Sequence, residues 1–261
     1  MLLTIDIGNT NITLGVFRGE NLEATWRLAT DPTRMPDEYG VALLNMLPVR
    51  GVAASDIKAV CMCSVVPPLT QVFTELCGSF LGIKPLVVGA GVRTGIKVLY
   101  DTPRDVGADR IVDAAAAFRL YGGPLIIIDC GTATVFNAVS AEAEYLGGAI
   151  APGLRLAAET LFTSTSMLRR VEMEAPKTAI GKNTTHALQS GLVLGNVDLI
   201  EGMVKRFKSE LGQEAKVIAT GGLSPLIASE TKVFDAVNLD LTLVGLRMIH
   251  EMNDGDSPED G

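Results

Sequence analysis

Histidine is almost missing from this chain: His186 and His250 are the only two in 261 residues. That excludes a histidine-rich metal centre and a catalytic centre built on several imidazoles. Cysteine is scarce too, with Cys61, Cys63, Cys77 and Cys130. Their spacings match no zinc site, and buried, reduced thiols are expected. Long hydrophobic runs are also missing. The longest are strand-sized, short of the ~20 residues a helix needs to cross a bilayer. The N-terminus lacks a basic start and Asp6 interrupts its apolar stretch, so no signal peptide is read there. A cytoplasmic protein is expected. Nor is there a basic face. The formal net charge is −8, and the longest basic run, Lys205-Arg206-Phe207-Lys208, lies in a helical pattern as a solvated face. Neither nucleic acid nor membrane is an expected partner. An acidic chain that binds an anion must do so locally, with backbone amides, a metal and a few placed cations.

What is present supports a folded α/β protein. Hydrophobic residues make up 48% and charged residues 20%, enough for a core and too little polarity for general disorder. One pattern occurs twice. Leu3-Thr4-Ile5-Asp6-Ile7-Gly8-Asn9-Thr10-Asn11 is matched by Ile126-Ile127-Ile128-Asp129-Cys130-Gly131-Thr132-Ala133-Thr134. Each is an apolar run, then Asp-x-Gly, then small hydroxyl or amide residues. That order suits a buried strand ending in a turn whose glycine lets a phosphate approach the backbone. Two such turns facing each other across a cleft would grip both ends of a polyphosphate.

Around each copy the order of elements repeats. Strands are expected at 2–6, 11–17, 22–28, 57–66 and 85–88, and helices from about 35 to 47 and from 69 to 81. Residues 89–110 read as a loop, followed by a helix over 111–121 with an alanine run, Ala114 to Ala117, that permits close helix packing. Strands then recur to 130, to 139 and over 145–150. A helix follows from about Leu154, a long helix covers 184–211, a strand covers 217–219, and a last helix of about ten residues closes near His250. The expected organisation is an N-terminal lobe over 1–121, a C-terminal lobe over 122–252 and a disordered acidic tail over 253–261. Hairpins and βαβ links would mix antiparallel and parallel pairs within each sheet.

The motifs carry distinct chemistry. Gly8, Asn9, Thr10 and Asn11 offer phosphate donors, while Asp6 repels phosphate directly and is suited to holding Mg²⁺ through water. Thr132 and Thr134 are donors in the second copy, with Asp129 as candidate cation ligand. Gly147 to Gly153 either forms a plain turn or keeps side chains off a ligand. Thr220-Gly221-Gly222 after a strand would let a flat ring lie on the backbone. In Arg104-Asp105-Val106-Gly107-Ala108-Asp109-Arg110, Asp109 and Arg110 project opposite charges at a helix start. One reading is an acidic residue complementing the helix dipole. Another is a phosphotransferase base that takes a proton from the attacking hydroxyl, beside a cation that receives an anionic substrate.

With these residues the chain resembles a type III pantothenate kinase, within the superfamily of acetate and sugar kinases, heat-shock chaperones and actin. The resemblance rests on Asp6 to Asn11, Gly107 to Arg110, Asp129 to Thr134, Gly147 to Gly153, and Gly181-Lys182-Asn183-Thr184. Gly-Ala-Asp-Arg is the discriminating element. The resemblance implies two duplicated actin-like (ribonuclease H-like) α/β domains, each a mixed sheet flanked by helices. It implies that Asp6, Ile7, Gly8, Asn9, Thr10, Asn11, Ile12 and Thr13 form the first phosphate loop, and that Thr132 contacts ATP. It further implies that Tyr100, Gly107, Ala108, Asp109 and Arg110 line the pantothenate pocket with Asp109 as base, and that Asp129 binds K⁺ or ammonium. Thr184 would reach pantothenate from the partner subunit of a homodimer. Two departures stand out. The family's Thr-Thr-Phe-Asp is here Thr134-Val135-Phe136-Asn137, and its Leu-Pro before Val-Glu is here Leu168-Arg169-Arg170-Val171-Glu172. The rival expectations are another small-molecule kinase of the superfamily and a non-catalytic nucleotide-binding regulator.

Overall fold

The computed structural model describes residues 1–254. In chain order the strands are β1 (Leu2–Ile7), β2 (Asn11–Arg18), β3 (Asn21–Ala29), β4 (Ala59–Ser64), β5 (Leu86–Val87), β6 (Lys97–Val98), β7 (Leu125–Cys130), β8 (Ala133–Val139), β9 (Glu144–Pro152), β10 (Lys216–Thr220) and β11 (Ala236–Val237). The helices are α1 (Pro36–Met46), α2 (Pro67–Leu76), α3 (Ala108–Tyr121), α4 (Leu154–Thr163), α5 (Thr184–Gln189), α6 (Gly195–Leu211), α7 (Ser224–Ala228) and α8 (Leu241–Asn253). They form two compact units. The first holds Met1–Ile96, Asp101–Ala116 and the chain from Leu241 onward; the second holds Lys97–Tyr100 and Ala117–Asp240. The division thus runs through α3 rather than after residue 121, and α8, expected in the second lobe, belongs to the first unit. Of the expected acidic tail, Asn253 is the last residue of α8, Asp254 is a turn, and residues 255–261 lie outside the described residues.

The first unit is built on a five-stranded mixed sheet in the order β3-β2-β1-β4-β5. β1 pairs antiparallel with β2 and parallel with β4. A tight turn at Gly19 closes the β2–β3 hairpin, whereas the parallel β1–β4 pair requires the crossover that α1 supplies. Strand alternation sorts the side chains. Leu3, Ile5 and Ile7 of β1 and Val60 and Met62 of β4 face a core with Tyr39 and Leu43 of α1 and Leu69 and Phe73 of α2. Cys61 and Cys63 face the opposite side, where they pack with Val112 and Ala115 of α3 and Leu246 and Ile249 of α8. Thr4 and Asp6 pair with Cys61 and Cys63 in register, so they share that second face. It is this constraint that recruits α8: without it α3 alone would cover the cysteine face of the sheet.

The second unit has a six-stranded sheet in the order β11-β10-β7-β8-β9-β6. β7, β8 and β9 are antiparallel neighbours, while β10, β11 and β6 add as parallel strands. Ile126, Ile128 and Phe136 bury one face against Leu154 of α4 and Val197, Ile200 and Val204 of α6. β6 lies inside the segment expected to be a loop. It is only two residues long, below what alternation can signal.

Two expected helices are interrupted. The stretch from 184 to 211 is α5, a wide π-type turn over Ser190–Leu194, and α6. The stretch after α2 likewise widens over Cys77–Leu81 before Gly82 ends it. Such turns keep apolar periodicity while slipping the backbone register by one residue, so the sequence pattern does not reveal them. α3 begins at Ala108, three residues earlier than expected, which puts Asp109 in its first turn.

The alanine run of α3 does permit close packing. A Cβ on Gly245 of α8 would stand 2.5 Å from the Val112 carbonyl and 3.2 Å from the Ala116 Cβ. Gly245→Ala should therefore cost roughly 1–3 kcal/mol by overpacking, measured by urea denaturation; unchanged stability would show that α8 can shift without penalty.

Candidate active site

In the first unit, β1 runs out at Ile7 and the chain reverses into β2 through residues 8–10. The Gly8 amide donates to the Asn11 carbonyl at 3.0 Å and closes the turn. A Cβ on Gly8 would lie 3.1 Å from that same carbonyl oxygen, so the position is tight for any other residue. Thr30, just beyond β3, donates its hydroxyl to the Gly8 carbonyl at 2.6 Å and its amide to the Thr10 carbonyl at 3.0 Å. Asp6 stands one residue before the end of β1, on the face shared with Cys63. The Cys63 thiol donates to Asp6 Oδ1 at 3.5 Å.

The head of α3 belongs to the same unit. Asp109 folds back so that Oδ1 accepts the Arg110 amide at 2.8 Å. The Gly107 carbonyl accepts the amides of Arg110 and Ile111, at 3.1 and 3.4 Å. A Cβ on Gly107 would stand 2.5 Å from Asp109 Oδ1 and 3.3 Å from a Val65 methyl, so only glycine leaves the carboxylate its place. Burial pushes the Asp109 carboxyl above its ordinary value of 3.8, and the Arg110 amide and guanidinium pull it partly back. One turn further on, Asp113 is 4% exposed and accepts the Thr242 hydroxyl of α8 at 2.7 Å. Cys63 reports how these groups converge. Its thiol is raised well above 9.0, chiefly by burial and then by the charges of Asp6, Asp109 and Asp113. Asp6 and Asp109, more than a hundred positions apart in sequence, thus act on one buried sulfur. Sequence reasoning missed Cys63, Asp113 and Thr30. Strand alternation in β4 could have placed Cys63; nothing local signals the other two.

The second unit carries the matching turn, one residue shorter. β7 ends at Cys130, and Gly131 and Thr132 lead into β8. The Gly131 amide donates to the Ala133 carbonyl at 3.1 Å. Asp129 is crowded on two sides. A Cβ on Gly131 would lie 3.2 Å from Asp129 Oδ1, and one on Gly221, which has φ +86°, would collide with the same oxygen. Gly221 and Gly153 are thus packing requirements. Gly153 seats its amide on the Thr132 carbonyl at 3.2 Å, where a side chain would strike the Gly131–Thr132 backbone. Gly147 lies against the Tyr100 ring, 3.4 Å from where its Cβ would be.

The other expected site residues fall as follows. Tyr100 follows β6 in the second unit, its ring 6.3 Å from that of Tyr145, whereas Gly107, Ala108, Asp109 and Arg110 belong to the first. Thr184 is exposed and begins α5, capped by Asn183, whose side chain accepts the His186 amide at 2.9 Å. Asn137, a departure from the family pattern, is buried and accepts the Tyr145 hydroxyl at 2.9 Å. Arg170, the neighbour of the second departure at Arg169, forms a bidentate pair with Glu159 of α4 at 3.1 and 2.7 Å and covers the Phe162 ring. Among the described residues no cluster of three or more His, Cys, Asp or Glu is arranged to hold a metal ion. No helix among them is long and apolar enough to cross a membrane.

Two α/β units, each a mixed sheet flanked by helices with an Asp-x-Gly turn at the end of a central strand, define the class: a two-domain α/β fold of the actin-like type. A Campylobacter jejuni protein described as a Baf family transcriptional activator shares this fold with a TM-score of 0.63 at 18% identity, over 96% of this chain and 98% of that one. The family profile for type III pantothenate kinase matches residues 2–206. A type III pantothenate kinase of Dehalococcoides mccartyi is 50% identical over 252 residues, 97% of this chain and 96% of the relative. That of Moorella thermoacetica is 48% identical over 253 residues, covering 97% and 100%. The chain belongs to the type III pantothenate kinase family.

The raised Asp109 carboxyl has a consequence for stability. Burial penalises only the ionised form in the folded chain. The group's favourable contribution is therefore complete below 3.8 and is lost as pH rises through the higher folded midpoint. Asp109→Asn should be more stable than the parent at pH 7, with the difference closing below pH 3.8, read by denaturation across pH. Equal stability at neutral pH would contradict the burial penalty.

Proposed function

We propose that the protein transfers the γ-phosphoryl group of ATP to the primary hydroxyl of pantothenate, giving 4′-phosphopantothenate and ADP, the first step of coenzyme A biosynthesis. Membership of the family supports ATP as cosubstrate. The observation that carries the reading is Asp109: a half-buried carboxylate held at a helix head by the Arg110 amide and given room by Gly107.

Asp109 accepts the hydroxyl proton as the pantothenate oxygen attacks the γ-phosphorus and the bond to the ADP oxygen breaks. A carboxylate lifted above its ordinary value is a better proton acceptor than a solvated one. Tyr100, Gly107, Ala108 and Arg110 bind and orient pantothenate, and Arg110 counters its carboxylate. Residues 6–13 take the phosphates, and Thr132 contacts the nucleotide. Asp6, a hard oxygen donor at the end of β1 beside the first turn, is suited to hold substrate-borne Mg²⁺ through water. Asp129, pressed between Gly131 and Gly221, offers a hard oxygen suited to K⁺ or ammonium. Such cations neutralise charge on the phosphates when bound. Thr184 serves the pantothenate site of the partner subunit in a homodimer. The cytoplasm is the proposed location, since the four cysteines are free, buried thiols.

The test is pantothenate-dependent ADP formation with and without K⁺. The parent should turn over only with pantothenate, and faster with K⁺. Asp109→Asn should lose roughly 10²-fold or more in turnover while still binding ATP. Turnover by Asp109→Asn at the parent rate would remove this residue from the role of base.

A further inference from the structure

The carbonyls of the first turn are held by a residue outside every motif. Thr30 engages both the Gly8 and the Thr10 carbonyls, at 2.6 and 3.0 Å. Thr30 is itself anchored through its neighbour. The Asp31 amide donates to the Tyr39 hydroxyl at 3.0 Å, and that hydroxyl donates to the Asp31 carbonyl at 3.1 Å. Tyr39 is fully buried in α1, with its ring 5.0 Å from Phe73 of α2. A continuous chain of contacts therefore runs from the core tyrosine through Asp31 and Thr30 to the turn.

Peptide planarity gives this clamp its meaning. The carbonyl of one residue and the amide of the next lie in one rigid plane and point in opposite directions. Holding the Gly8 carbonyl on Thr30 aims the Asn9 amide the other way, and holding the Thr10 carbonyl does the same for the Asn11 amide. A free Asp-x-Gly turn can rotate its peptide planes and show carbonyl oxygens to an anion, which repels it. A clamped turn cannot.

We propose that Thr30 is a positioning residue for phosphate binding: it fixes the Gly8–Asn9 and Thr10–Asn11 peptide planes so that the turn presents the Asn9 and Asn11 amides, not the Gly8 and Thr10 carbonyls, to the nucleotide. This rests on the reading of residues 6–13 as the phosphate loop. Thr30→Val keeps the shape and the amide bond to Thr10 but removes the hydroxyl bond to the Gly8 carbonyl, which Thr30→Ser retains.

Steady-state kinetics of the full chain, with each substrate varied in turn, tests it. Thr30→Val should raise the KM for ATP roughly 5- to 20-fold, leaving the KM for pantothenate and the Tm as in the parent, while Thr30→Ser stays within about 2-fold. A uniform structural defect would instead move both KM values and the Tm together, and would overturn the proposal. Gly8→Ala separates the proposal from the reading beneath it. If Gly8→Ala raises the KM for ATP and Thr30→Val does not, the clamp is irrelevant and the phosphate loop stands. If neither changes it, the loop reading falls and the proposal with it. Should Thr30→Val not fold, Thr30→Ala takes its place with the same expectations; failure of both to fold, with Thr30→Ser folded, would overturn positioning in favour of a purely structural hydroxyl.

Discussion

Three carboxylates, Asp6, Asp109 and Asp113, act on one buried thiol in the first unit, and the rest of the site is arranged around that concentration of like charge. Gathering carboxylates in a partly buried environment is unfavourable unless each finds hydrogen bonds or a counter-charge. The fold provides them separately. Asp6 accepts from Cys63, Asp109 from the Arg110 amide, and Asp113 from Thr242. Cys63 remains neutral, first because burial disfavours its thiolate and then because ionisation would add a fourth negative charge. A site of this sign admits a triphosphate only with cations and amides in attendance, which is the chemistry of a kinase rather than of a simple anion receptor.

The same constraint explains the architecture. Alternation along β1 and β4 delivers Asp6 and Cys63 to one face of the sheet, and that face must be covered. α3 covers it with its alanine-rich side and thereby brings Asp109 and Asp113 into place. α8 completes the cover, with Gly245 allowing its backbone to approach Val112 and with Thr242 satisfying Asp113. α8 is therefore part of the first unit because the cysteine face of that unit's sheet needs a cover of apolar surface, supplied by Leu246 and Ile249.

Much of this was legible in the sequence. Both Asp-x-Gly turns lie at strand ends as their residue order predicts, because apolar runs followed by glycine leave the backbone few alternatives. The alanine run of α3 announced close packing. Other features were not legible for physical reasons. The crossing of α8 back to the first unit depends on which apolar faces meet, and periodicity says only that a face exists. Gly153 and Gly221 suggest room for a ligand, yet both are demanded by the second turn's own backbone. Thr30 and Asp113 act across long sequence separations, where no local pattern marks them. Of the departures at Val135, Asn137 and Arg169, the structure gives a local partner to one side-chain oxygen: Asn137 accepts the Tyr145 hydroxyl.

The account turns on Asp109 meeting an alcohol while the turn after β1 holds phosphate. A crystal structure with pantothenate and a non-hydrolysable ATP analogue tests this most directly. It should place the pantothenate primary hydroxyl about 3 Å from an Asp109 carboxylate oxygen, with phosphate oxygens on the amides of residues 9–11. Pantothenate bound with its hydroxyl away from Asp109, or phosphates seated away from Gly8, would contradict it.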